Sequence, residues 1–211
     1  MSNAGLGAAC AVCWRHLAAL GAFDPALSVL ASRPGLQSWS PALVLGAVAF
    51  WSACAGDTFA SELGILSARP PVLVTTLRPV PKGTNGGISP WGVLMSLAGG
   101  IAVGAASAVT LALEDGAVAG LVVGGLPWWA VVVGVAGASG VVGSLIDSVL
   151  GATVQQTVYS PSRSKIVHHK EARPDEMVQV RGWDVLSNNG VNVASSVATA
   201  VGVVWAVRQW A

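Results

Sequence analysis

The stretch ACAGDTFASELG, residues 53–64, sets Asp57, Thr58, Ser61 and Glu62 at the end of an apolar run. Two carboxylates and two hydroxyls on one helical arc make an all-oxygen donor set. Such a set suits Mg²⁺, a hard cation usually shared with substrate phosphates. It also suits a helix end meeting water, with Asp57 or Thr58 capping a following helix. This stretch alone does not separate the two readings.

Three further segments carry chemistry of the same kind. KGTNGG brings Lys82, Thr84, Asn85, Gly86 and Gly87 together. Asn-Gly is a strong turn signal. Glycines also let backbone N–H groups approach phosphate oxygens, and a neighbouring lysine adds a point charge. The spacing is not that of a Walker loop. In GSLIDSVLGA, Ser144, Asp147, Ser148 and Gly151 share one face by their three- and four-residue spacing. A charged aspartate at mid-bilayer costs roughly 2.5–3.5 kcal/mol on insertion scales, so Asp147 is functional by default, snorkels to the interface, or makes one interhelical hydrogen bond. On the last apolar segment, Asn188, Asn189, Asn192, Ser195, Ser196 and Thr199 project to one side. Val191, Val193, Ala194, Val197 and Ala198 project to the other. Such a stripe glues helices together at about 0.6–2 kcal/mol per bond, or orients a bound phosphate.

The elements that must position these groups follow from composition. Of 211 residues, 53% are hydrophobic and only 10% charged; soluble domains carry about 25% charged residues. The 26 glycines suit close helix contact in lipid. Only helices or closed barrels satisfy their backbone there. The expected fold is an all-α polytopic membrane bundle of about four to five transmembrane helices. A spanning helix needs about 20 mainly apolar residues. The candidates are roughly 40–57, 88–112, 117–151 and 185–207. Within 117–151 spanning begins near Pro127; the alternative of two tight passes is disfavoured because it would break the agreement of the loop charges. Residues 1–39 form an N-terminal segment, and 40–211 the membrane domain.

Loops 58–87 and 152–183 are polar. The first carries Arg69, Arg78 and Lys82, the second Arg163, Lys165, Lys170, Arg173 and Arg181. Two crossings separate them, so they share a side, and their cations mark it as cytoplasmic. Glu114 and Asp115 fall on the other side. All four polar clusters therefore meet at one membrane face. Gly120-x-x-x-Gly124 and Gly140-x-x-x-Ser144 permit close helix packing.

Net charge is +1, so no broad basic surface points to nucleic acid. Cys10, Cys13 and Cys54 form no disulfide framework, and Cys10/Cys13 has no second pair to complete a zinc site. The opening residues, interrupted by Arg15 and His16, read neither as a clean signal peptide nor as a clean span. His168 and His169 lie in a solvated basic loop that meets headgroups or covers an anionic substrate.

CAGDTFASELG, PVPKGTNGGISPWG, GSLIDSVLGAT and LSNNGVNVASS, in that order, resemble the transmembrane protein 19 family, which includes the plant phytyl-phosphate kinase. The resemblance covers roughly residues 43–205. Family members generally have additional N-terminal helices. Gly56, Asp57, Ala60, Ser61 and Lys82 are also more distantly similar to the layout of dolichol and phytol kinases, with Asn85, Gly86 and Gly87 where those carry a different small motif. The resemblance implies a membrane-embedded kinase acting on an isoprenoid (phytyl or prenyl) phosphate, with CTP or ATP as donor and Mg²⁺ as cofactor. Asp57, Lys82 and Asp147 would be its catalytic residues. Asp57 and Glu62 would hold Mg²⁺, and Asp147 a second ion. Lys82, Thr84 and the Asn85–Gly87 backbone would cradle the phosphate, and Asn188, Asn189 and Asn192 would orient it. The alternatives are a carrier or scaffold without catalysis, and a cytidylyltransferase of lipid phosphates. Polar groups confined to one face favour an enzyme, and polar groups spread across the membrane favour a carrier.

Overall fold

A computed structural model describes residues 40–114, 122–160, 165–167, 178–181, 183 and 185–210. The expectations for residues 1–39, Asp115, Gly120, Arg163, His168, His169, Lys170 and Arg173 lie outside these. Four long helices dominate: α1 (Ser40–Gly64), α2 (Pro90–Glu114), α3 (Trp128–Val154) and α4 (Asn188–Trp210). Each is long and apolar enough to cross a membrane. At 1.5 Å per residue, even the 23 residues of α4 reach roughly 34 Å, more than a bilayer core.

The first helix does not stop at residue 57. Thr58 Oγ1 donates to the Cys54 carbonyl at 2.8 Å, and Ser61 Oγ to the Thr58 carbonyl at 3.1 Å. These hydroxyls bond back to their own helix instead of capping a new one, so the helix continues to Gly64. Short antiparallel pairs decorate the ends. β1 (Val72–Leu73) pairs with β2 (Gly87–Ile88), and β3 (Val122–Val123) with β4 (Leu126–Pro127). The expected loop 152–183 begins as the last turn of α3. It continues as a three-stranded sheet ordered β6–β5–β7, from β5 (Thr157–Ser160), β6 (Lys165–Val167) and β7 (Val178–Arg181). The β-branched runs TVYS, KIV and VQVR explain those strands.

The helices approach on small residues. A Cβ at Gly56 would lie 2.6 Å from the Gly140 backbone, so α1 and α3 touch main chain to main chain there. Gly140 and Ser144 thus sit at a packed seam. Gly124 does not: it has φ +56 in the β3–β4 turn, with open space around it. At one end of the bundle, Val48, Ala108, Trp128, Val132 and Ala136 form an apolar core. The polar residues gather at the other.

Candidate functional site at the polar end of the bundle

The end of α1 is held by borrowed donors. The Leu63 carbonyl accepts from Trp91 Nε1 at 3.1 Å, and the Ile65 and Ser67 carbonyls accept from Lys82 Nζ at 3.0 and 2.7 Å. These bonds serve carbonyls at and just beyond a helix end, which the helix itself leaves unsatisfied. They fold the segment after α1 over the bundle end. Gly86, with φ +78, then packs on α3; a Cβ there would meet Ala152 and the Ser148 carbonyl oxygen.

Beneath this turn lies a cavity of about 460 Å³, walled by all four helices and the turn. From α1 come Asp57, Thr58, Ser61 and Glu62; from α3, Ser144, Asp147 and Ser148; from α4, Asn188 and Asn192. Asp57 and Asp147 stand about two turns inside their helix ends. Ser144 Oγ donates to Asp57 Oδ1 at 3.4 Å, and Ser195 Oγ to Asp147 Oδ2 at 3.3 Å. Each acid is thereby tied to a neighbouring helix. The pair faces the cavity from α1 and α3.

The structure brings ten of the eleven expected site residues to this cavity: Asp57, Glu62, Lys82, Thr84, Asn85, Gly86, Gly87, Asp147, Asn188 and Asn192. Asn189 is not among its walls and is exposed. The expected stripe on α4 is also corrected at Val191. That side chain is fully buried, because the three- and four-residue spacing puts it with Asn188 and Ser195.

Several wall groups are already engaged. Lys82 gives two donors to carbonyls and keeps a third N–H. Thr84 Oγ1 donates to the Pro81 carbonyl at 2.7 Å, and the Gly87 N–H to the Thr84 carbonyl at 3.0 Å. The turn is therefore a braced lid first, with its charge over the cavity. Sequence reasoning missed Ser96, Ser89 and Gln155, all buried in the wall. A polar residue at a helix boundary, such as Ser89 before α2 or Gln155 after α3, was the available signal.

The donor set is oxygen and amide throughout. It suits Mg²⁺ and leaves coordination positions for phosphate and water. Among the described residues no three His, Cys, Asp or Glu side chains converge as a metal site. Asp57, Glu62 and Asp147 therefore do not form a ready three-ligand cage, and an ion here would need substrate oxygens. Farther into the bundle, Ser196 and Thr199 bond carbonyls of their own helix and lie outside the cavity.

Comparison with known proteins agrees with this architecture. Over 160 residues the chain is 38% identical to Protein PGR of Arabidopsis thaliana, covering 75% of this chain and 53% of that protein. Over 185 residues it is 30% identical to an uncharacterized membrane protein of Synechocystis, covering 86% and 56%. The chain thus spans about half the length of these curated relatives. No solved structure matches it. A family model described as "Integral membrane protein DUF92" matches residues 1–200, taking in the N-terminal segment, α1 to α3 and the first part of α4. The chain belongs to this family of integral membrane proteins, the one to which the transmembrane protein 19 resemblance pointed.

Proposed function

We propose that this protein is a membrane-embedded kinase of isoprenoid phosphates. It transfers the terminal phosphoryl group of CTP or ATP to an oxygen of a phytyl or prenyl monophosphate, giving the lipid diphosphate and a nucleoside diphosphate. The observation that carries this reading is the pair of facing acids, Asp57 and Asp147, in a polar cavity at one end of an apolar bundle. A lipid phosphate can place its head there while its tail stays in hydrocarbon. The isoprenoid character of that tail rests on the family resemblance.

Phosphoryl transfer depends mostly on positioning and charge neutralisation. The acceptor is already an anion, so no strong general base is needed. Asp57 and Asp147 would hold Mg²⁺ between them, with Glu62 at the rim. When bound, the ion neutralises phosphate charge. Lys82 supplies a fixed positive charge, and Asn85, Asn188 and Asn192 offer amides that orient phosphate oxygens. The carrier alternative fares worse, because the deeper hydroxyls bond their own helix and do not extend the cavity.

The test uses purified protein in lipid nanodiscs with geranylgeranyl monophosphate, Mg²⁺ and CTP or ATP, followed by mass spectrometry. Wild type should yield the diphosphate. Asp57→Asn and Asp147→Asn should each lose at least ~100-fold in turnover while still inserting. Undiminished turnover in both variants would refute these roles. A CDP-lipid product would reassign the protein as a cytidylyltransferase.

A further inference from the structure

Gln155 is a cavity residue whose side-chain amide bonds no other described residue. Its side chain is only 6% exposed, yet it forms part of the cavity wall. It has no side-chain hydrogen-bond partner among the described residues, whereas Lys82, Thr84, Ser96 and Ser144 each donate to a carbonyl or carboxylate oxygen. The amide is not sealed in the protein interior; it borders the cavity, where a ligand can reach it. The position is also held open. A Cβ on Gly151 would lie 3.1 Å from Gln155 Oε1 and 3.3 Å from the Gly86 nitrogen. The missing side chain leaves the amide room beside the glycine turn.

Resting on the kinase reading above, we propose that Gln155 contacts the base of the nucleotide donor. Gln155 is the C-cap of α3, roughly 12 Å along the helix axis from Asp147 at 1.5 Å per residue. A triphosphate held at the two acids would extend its nucleoside outward, toward the helix end. A primary amide presents donors and an acceptor side by side. That arrangement matches the adjacent donor and acceptor groups on a base edge, the pairing by which Gln reads adenine. A phosphate offers only acceptors and would leave the amide oxygen opposed.

The experiment measures binding of CTP, ATP, UTP, GTP and tripolyphosphate, each with Mg²⁺, by calorimetry in nanodiscs. Diphosphate formation is followed in parallel. Gln155→Leu should weaken binding of the preferred nucleotide on the order of tenfold to a hundredfold and leave tripolyphosphate binding unchanged. Its thermal stability without nucleotide should stay close to wild type, because the amide bonds no other described residue and borders the cavity. Gln155→Glu is acceptor-only and should shift the preference toward GTP, whose base presents two adjacent donors, and away from ATP and CTP, whose base edges pair a donor with an acceptor. Equal weakening of nucleotide and tripolyphosphate, or an unchanged base preference in Gln155→Glu, would overturn the base contact while leaving the kinase intact. A wild-type protein that binds no nucleotide and forms no diphosphate would overturn the kinase reading and this proposal with it.

Discussion

At the residue scale, the side chains at this site do two kinds of work, and Lys82 shows the division. Its ammonium bridges the Ile65 and Ser67 carbonyls, 15 to 17 residues away in sequence, and also lines the cavity. Charge-assisted bonds of this kind hold a chain in place as well as a substrate. Lys82→Met should therefore loosen residues 65–89, at a cost of roughly 1 kcal/mol, and lower turnover as well. Lys82→Arg should restore the brace in part, since Arg keeps the charge and its donors but changes their geometry. Hydrogen exchange of the 65–89 amides reads the brace, and diphosphate formation reads the charge. Faster exchange without loss of turnover would make Lys82 structural only. Residue types alone pointed to Asp57, Asp147 and the asparagines, because acids and amides are conspicuous in an apolar chain. They did not reveal which groups were already engaged. Thr84 looked like a phosphate ligand, yet its hydroxyl closes a turn on Pro81.

At the element scale, the placement of Asp57 depends on how closely α1 and α3 approach. A Cβ at Gly56 would meet the Cα, C and O of Gly140 at 2.6 to 2.8 Å, so backbone would have to move. Gly56→Ala should destabilise the bundle by about 1–3 kcal/mol, the usual cost of overpacking. It should also lower activity, because Asp57 is the next residue. Gly134, also on α3, has nothing within 4 Å of the place an added methyl would take. Gly134→Ala should therefore be neutral or slightly stabilising, since alanine is the better helix former. Unfolding of the two variants in mixed micelles checks the contrast; equal stability would mean that the helices do not meet at Gly56. The four helices were legible because each is a long apolar run. The end of α1 was misplaced because Asp57, Thr58, Ser61 and Glu62 look like loop residues until their hydroxyls are seen to bond their own helix. The β5–β7 sheet was hidden behind charge: its strands are short, and the basic residues around them read as a solvated loop.

At the scale of the whole molecule, function depends on which side the cavity faces. The ends of α1 and α3 and the starts of α2 and α4 all carry cavity residues. An odd number of crossings must therefore separate this end from the β3–β4 turn. The segment 65–89 carries Arg69, Arg78 and Lys82, and on that excess of cations we propose that this end faces the cytoplasm. A nucleoside triphosphate would then reach the cavity from the compartment that holds it, and the lipid phosphate would enter from the membrane. Single cysteines placed in a cysteine-free background at Thr76, Trp183 and Leu126, all exposed, test the arrangement. In inside-out vesicles, an impermeant maleimide should label Thr76→Cys and Trp183→Cys but leave Leu126→Cys unlabelled. Right-side-out vesicles should show the reverse. Labelling of all three from one side would mean that α2 and α3 do not each cross the bilayer. Labelling of Thr76→Cys and Trp183→Cys only from outside would keep the bundle but set its cavity away from cytoplasmic nucleotide, which the kinase reading does not survive.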